Sequence, residues 1–321
     1  MKADLDLNKP SFIYEAFSSD SEMLGKFAFF PFELASFAHT PQRLGEVQKF
    51  IDRAASEGKR TVLNFFHDND HPISEFLSGN PIVFRYSMSK NFVYLDEFII
   101  PTLVENFRDS ARQVPTLEWD LIPKVSFMGW AVVAKPITDK KIVKGLAPAS
   151  GLISSLVFPT PPSIGTVLRK KAIELIESDL RIESNFMIHD RYFHHYTEDF
   201  QKNNLQDYVK SMSDTHYVLT IRGCGNYSIR LFETLAIGRI PIMVDTNQFL
   251  PFEDEIPWKE ISVWVPFDNF KSISEYICAF HSNLDGRLFV ELTSKIEEIY
   301  EEYLSRPAVI RQIQKILKRY M

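Results

Sequence analysis

The sequence predicts an α/β protein with parallel sheets in two domains, and three observations predict it. Short apolar, β-branched runs end in polar or glycine-rich turns and alternate with stretches of helical periodicity, which is the pattern of an open α/β sheet. Val218 to Asp245 is a complete strand, glycine turn, helix and strand, a βαβ unit. Finally, 321 residues exceed one ordinary core. Residues 1–150 are expected to form the first unit and 151–321 the second, with the last helix free to pack back on the first.

In chain order, apolar runs at Ser11–Tyr14 and Lys26–Phe30 come first, the second closed by Phe29-Phe30-Pro31-Phe32. Pro41 to Ala55 places Leu44, Val47, Phe50, Ile51 and Ala54 on one helical face, with Thr40 set to cap it and Gly58 to end it. Thr61 to Phe66 is a strand that empties into the polar turn His67-Asp68-Asn69-Asp70-His71-Pro72. Pro81–Tyr86 and Asn91–Leu95 read as further strands, and Lys124–Val133 as another, broken by Gly129.

Between 136 and 162 the chain is irregular and proline-rich, as expected of a linker or crossover. A helix over Val167–Ser178, a strand over Phe186–Ile188 and a helix over Leu205–Met212 follow. They lead into the βαβ unit, whose strand ends at Ile221 and whose helix begins near Ser228. Gly238 stops that helix, and Ile240–Val244 is the next strand. Ile261–Val265 is a strand and Ile273–Phe280 a helix, and helical patterns run from about Asp285 to Tyr320, interrupted at Pro307.

Composition excludes several classes. Hydrophobic content of 45% and charged content of 24% are those of a soluble globular protein. A net charge of −6 gives no overall attraction to nucleic acid or an anionic membrane. Two cysteines, Cys224 and Cys278, are too few for a disulfide framework or a zinc cluster and are read as free thiols. No run approaches the roughly 20 apolar residues of a membrane span, and the polar N-terminus lacks a signal-peptide core. A cytoplasmic protein is the expectation.

The chemistry concentrates in the βαβ turn. Gly223, Gly225 and Ser228 let the backbone approach a ligand, and the helix behind them points its N–H groups at the same place. Arg222 and Arg230 flank the turn, and two guanidiniums beside a helix N-terminus suit a diphosphate better than one carboxylate. Glu233, one helical turn past Arg230, is placed to take ribose hydroxyls. The bland reading is an Arg230–Glu233 surface pair on a structural helix. A rival reading is an NAD(P)-dependent oxidoreductase, since Gly223-x-Gly225-x-x-Ser228 nears the dinucleotide fingerprint and Asp245 stands where a ribose-binding acid belongs.

The wider stretch carries a resemblance. Arg222-Gly223, Ser228-x-Arg230-Leu231-Phe232-Glu233-Thr234-Leu235, Gly238-Arg239-Ile240-Pro241-Ile242, and Leu250-Pro251-Phe252 through Ile256-Pro257-Trp258 resemble the signature of the exostosin glycosyltransferase family. Tyr208-x-x-x-Met212, Lys124–Gly129 and Leu168-Arg169 are similar to its upstream elements, and His67-Asp68 and Asp96 through Ile100-Pro101 match more loosely in order and spacing. The resemblance spans roughly residues 61 to 280 and is strong from about 208 to 266. Arg239 departs from it, standing where the family usually has cysteine. No membrane anchor of the kind secretory-pathway members carry is read in this sequence.

The resemblance implies a GT-B architecture, two Rossmann-like domains facing across a cleft, and inverting transfer from a nucleotide diphosphate sugar, usually a UDP-sugar, to a glycan, a lipid-linked glycan or another hydroxyl acceptor. It implies no cofactor, and no metal held by an Asp-x-Asp motif behind a strand. Donor binding is then expected of Arg169, Arg222, Gly223, Gly225, Asn226, Ser228, Arg230 and Glu233. The general base is expected on the acceptor side, with Asp68 and Asp70 as candidates and His67 and His71 in reserve. A non-catalytic partner subunit that keeps the fold is a further alternative.

Other features have plain readings. His194-His195, with Tyr192 and Tyr196, is read as a surface loop rather than an acceptor groove, Glu253-Asp254-Glu255 as a loop shaping the sugar pocket, and Trp258 as a packing residue. The basic amphipathic segment from Arg311 to Met321 has two readings, a helix packed on the body or a peripheral membrane contact.

Overall fold

The computed structural model describes residues 10–38, 40–111, 117–131, 164–189 and 198–321. The expected linker at 136–162 and the His194-His195 pair lie outside them.

The first unit opens with helices α1 (Phe12–Phe17) and α2 (Ser21–Lys26) and strand β1 (Phe27–Glu33). The apolar run at Ser11 is thus a helix start, with Ser11 Oγ accepting the Tyr14 N–H at 3.2 Å. After the short helix α3 (Leu34–Phe37) comes α4 (Pro41–Ser56), capped by Thr40, whose Oγ1 accepts the Arg43 N–H. Strands β2 (Arg60–Phe65), β3 (Ile82–Arg85) and β4 (Glu97–Ile99) complete a four-stranded parallel sheet of order β1-β2-β3-β4. Strand alternation sends Val62, Ile82 and Phe84 into one core and Leu63, Phe65 and Val83 into another, so both faces are covered.

Asn91–Leu95 is not a strand. Val93 and Leu95 are 82% and 58% exposed, with no sheet to cover them. The segment is held instead by the Tyr94 hydroxyl, which accepts the Ser89 N–H and donates to the Asp70 carbonyl. The strand begins after Asp96, whose φ of +55° turns the chain.

Helix α5 (Glu105–Ser110) and strand β5 (Lys124–Trp130) belong to the second unit. α6 (Ile164–Glu177), β6 (Glu183–His189), α7 (Glu198–Ser213), β7 (Tyr217–Leu219), α8 (Ile229–Ala236), β8 (Ile240–Val244), β9 (Val263–Val265) and α9 (Ile273–Ser282) follow. Its sheet is five-stranded and parallel, in the order β6-β5-β7-β8-β9. The boundary expected at 150 therefore moves forward: β5 pairs with β6 and β7, and Val104 and Phe107 already pack in the second core while Ile100 packs in the first.

The chain ends with α10 (Gly286–Ile299), a π-helical turn over Tyr300–Leu304, and α11 (Arg306–Lys318) with Pro307 in its first turn. α10 and the π-helical turn pack on the second core, whereas α11 crosses back and buries Val309, Ile313, Ile316 and Leu317 in the first. The apolar face that a membrane contact would need is therefore inside the protein. Among the described residues, no helix is long and apolar enough to cross a membrane.

Candidate active site

The strand order of the second sheet places the site. β6 lies on one side of β5 and β7 on the other, so the chain reverses direction between β5 and β7, and ligands of open parallel sheets bind outside the strand ends at such a switch point. A cavity of about 470 Å³ opens there. It is lined by the ends of β5 (Met128, Gly129, Trp130), the start of α8 (Ser228, Arg230, Glu233), Arg169, Tyr208 and Gly223, and by Asp68 from the first unit.

Arg230 and Glu233 are only 8% and 9% exposed, so the surface-pair reading does not hold. The Arg230 guanidinium lies 4.4 Å from the Phe127 ring centroid and donates through Nη2 to the Met128 carbonyl at 2.6 Å. Gly129 makes this possible: a Cβ there would meet Arg230 Nη2 at 2.7 Å, and φ is +152°. Glu233 accepts the Tyr208 hydroxyl, so one carboxylate oxygen is already engaged before any ribose arrives. Burial holds the Glu233 carboxyl above the usual carboxylate range, with the Tyr208 hydrogen bond and the Arg230 charge pulling the other way.

Ser228 occupies the N-cap position of α8 without making a side-chain cap. Its Oγ and the Nε of Arg230 are buried and have no hydrogen-bond partner among the described residues, a costly state that a ligand oxygen would relieve. Arg169 reaches across from α6, donating through Nε to the Ile221 carbonyl at 3.1 Å.

Other expected donor ligands have different work. Asn226 is 1% exposed, and its side chain and N–H are taken up at the boundary between units: Nδ2 donates to the Thr246 carbonyl, Oδ1 accepts the Thr246 hydroxyl, and the N–H donates to Ser87 Oγ at 2.8 Å. Gly225 is where the units touch, since a Cβ would meet Asp68 Oδ1 at 2.7 Å. Arg222 borders a smaller adjoining cavity of about 30 Å³ and donates to the Cys224 carbonyl at 3.1 Å. Burial lowers its pKa, partly offset by the charges of Asp70 and Asp68 opposite.

On the acceptor side, Asp68 alone of the four candidate bases lines the larger cavity. His67 Nδ1 accepts the Asn69 N–H at 3.0 Å, which places the neutral ring's proton on Nε2 and leaves no free lone pair. Burial also lowers the His67 pKa. His71 is paired with Glu75 at 3.1 Å, away from the cavity. The resemblance implies no metal held by an Asp-x-Asp motif behind a strand, yet such a triplet, Asp68-Asn69-Asp70, follows β2. The charges of both carboxylates act on Arg222, and among the described residues no group of three or more His, Cys, Asp or Glu is placed to hold a metal ion.

Asp245 does not line the cavity; its Oδ1 accepts the Asn247 N–H at 3.1 Å. The dinucleotide reading thus lacks its ribose-binding acid. Glu255 is occupied by Lys315 and Gln312 of α11, and Glu253 caps Leu250 and pairs with Lys90. Trp258 is 5% exposed and donates to the Pro251 carbonyl, a packing role.

The reading of the sequence missed Tyr208 as the partner of Glu233, Gly129 as the room for Arg230, and the Arg85–Glu97 pair beneath the Asp68 loop. Gly129 carried a signal, since a glycine inside an apolar strand marks a close approach. Arg85, a cation in an otherwise apolar strand, carried another.

Two parallel α/β units facing each other across a cleft, with an anion-ready helix start at the switch point of the second, define the GT-B class of architecture. Residues 166–278 match the Exostosin GT47 domain. The probable glucuronosyltransferase GUT1 of Oryza sativa subsp. japonica is 35% identical over 71 residues, 22% of this chain and 17% of that protein. The exostosin-1 homolog of Caenorhabditis elegans is 24% identical over 266 residues, 78% of this chain and 61% of that one. The chain thus spans less than two thirds of the length of these relatives. The crystal structure of TarM superposes with a TM-score of 0.43 and 11% identity over 85% of this chain and 53% of its own.

Proposed function

We propose that this chain is an inverting, metal-independent glycosyltransferase that moves a sugar from a UDP-sugar to a hydroxyl of a glycan or lipid-linked glycan. The observation that carries the reading is a pair of buried groups with no partner among the described residues, Ser228 Oγ and Arg230 Nε, in a cavity at the N-terminus of α8. With Arg169 alongside, they offer charge and hydrogen bonds to a diphosphate and neutralise it as it leaves. Glu233, oriented by Tyr208, keeps one carboxylate oxygen for the ribose. Asp68 enters from the opposite unit, where an inverting base belongs. It takes the proton of the acceptor hydroxyl as that oxygen bonds to the anomeric carbon and the carbon–diphosphate oxygen bond breaks.

Thermal shift with UDP, GDP and NAD tests the donor class: UDP is expected to raise the melting temperature, and stabilisation by NAD alone overturns the reading. A panel of UDP-sugars then identifies the donor. A wild type that binds UDP but turns over no donor favours the non-catalytic alternative. Arg230→Ala is expected to weaken UDP binding roughly 10- to 100-fold, the worth of one charge-assisted hydrogen bond or more.

A further inference from the structure

The loop that carries Asp68 is held from beneath by a charge that nothing in the reaction requires. Arg85, at the end of β3, is wholly buried. Its Nη2 donates to the Asn69 carbonyl at 2.5 Å and its Nη1 to the His71 carbonyl at 2.9 Å. Glu97, in the neighbouring strand β4, accepts a hydrogen bond from Arg85 and takes the Ile73 N–H at 2.7 Å. Phe65 and Tyr94 place their rings 4.9 and 5.4 Å from the guanidinium carbon, and the Tyr94 hydroxyl donates to the Asp70 carbonyl. Three consecutive carbonyls of one short loop, those of Asn69, Asp70 and His71, are therefore held by the side chains of Arg85 and Tyr94. From the opposite side Gly225 leaves no more than contact distance to Asp68.

Stability does not account for the pair. Burying two ions carries a desolvation cost that apolar residues of the same volume avoid, and such replacements are often neutral or stabilising. What an apolar pair lacks is donors for the loop carbonyls. We infer that Arg85, held by Glu97, is a positioning residue that sets Asp68 against the donor cavity. This rests on Asp68 being the base; Arg85 itself touches no substrate.

The test is the double variant Arg85→Met/Glu97→Leu, compared with Asp68→Asn and wild type. It reads UDP affinity by calorimetry, melting temperature, and kcat and KM with whichever of UDP-glucose, UDP-galactose, UDP-N-acetylglucosamine, UDP-glucuronate and UDP-xylose the wild type uses. The double variant is expected to bind UDP within twofold of wild type and to lose kcat on the order of 100-fold, the cost of about 1 Å of misplacement. Arg85→Lys, which keeps the charge but cannot span both carbonyls, is expected to recover only part. Wild-type kcat in the double variant, with Asp68→Asn inactive, overturns the positioning role and leaves the base intact. Full activity of Asp68→Asn removes the base and the inference with it. If the double variant does not fold, Arg85→Lys decides alone: reduced kcat at unchanged UDP affinity supports the inference, and unchanged kcat overturns it.

Discussion

Arg230 is held by a cradle that one strand far away in sequence, β5, supplies: the Phe127 ring, the Met128 carbonyl and the space over Gly129. Gly129→Ala pushes a methyl into that space at a φ that L side chains rarely adopt, so the guanidinium must leave. UDP affinity is expected to fall about 10-fold or more, near the worth of one charge-assisted hydrogen bond, and calorimetry reads it. Gly225→Ala acts on the other wall, where the added carbon collides with Asp68, and is expected to lower kcat more than UDP affinity. At this scale, the sequence showed the residues that stand close together along α8 and its turn, because helical spacing alone relates Ser228, Arg230 and Glu233. It did not show the partners those residues meet from β5 and α7, since nothing local to the turn encodes them. Asn226 illustrates the same limit: its place in a ligand-facing turn was legible, but not that Thr246 and Ser87 would claim it.

Periodicity and capping chemistry found α4, α6, α8, the strands β2 and β3 of the first sheet and those of the second, because those elements are decided by burial on one or both faces. Thr40→Ala removes the α4 cap and is expected to cost about 1 kcal/mol, seen in denaturant unfolding. The failure at Asn91–Leu95 has a different origin, since a single tyrosine hydroxyl anchored on Asp70 and Ser89 overrides a good strand composition. The start of β5 depends on a histidine. His216 is fully buried, its Nδ1 accepts the Lys124 N–H at 3.1 Å, and its Nε2 lies 3.2 Å from the Glu118 carbonyl. Burial pulls its pKa down to about 4 from 6.5. The unfolded chain takes the proton first, so the stability this ring contributes is complete above pH 6.5 and is lost as pH falls towards 4. The loss amounts to at most roughly 3 kcal/mol. His281, whose pKa burial also lowers, adds in the same direction. Denaturant unfolding of the wild type and His216→Gln between pH 4 and 7 checks this: the variant is expected to show a flatter pH dependence.

Across the whole molecule, the two units are joined by backbone bonds at their facing strand ends, Lys90 to Asn247 and Phe249 to Met88, and by α11. The Lys90–Glu253 and Lys315–Glu255 pairs that link the two units are about half exposed to solvent and contribute little, about 0–1 kcal/mol each. Ile313→Ala, by contrast, empties a fully buried site and is expected to destabilise the protein by about 2–5 kcal/mol. The two-unit architecture was legible from length and repeated strand–helix alternation, but the boundary was not. A proline-rich stretch looked like the division, whereas the hydrogen-bonding of β5, invisible along the chain, assigns Lys124–Trp130 to the second sheet.

The position of α11 in the first core also sets an order of assembly. The surface that Val309, Ile313, Ile316 and Leu317 cover is made by residues translated long before them, among them Ile13, Phe29 and Phe84. At about 5–20 residues per second, that surface waits for tens of seconds on the ribosome before its last wall emerges. The earlier-made of the two units is therefore completed after the later one, and the nascent chain in the interval presents a greasy patch that chaperones would have to shield.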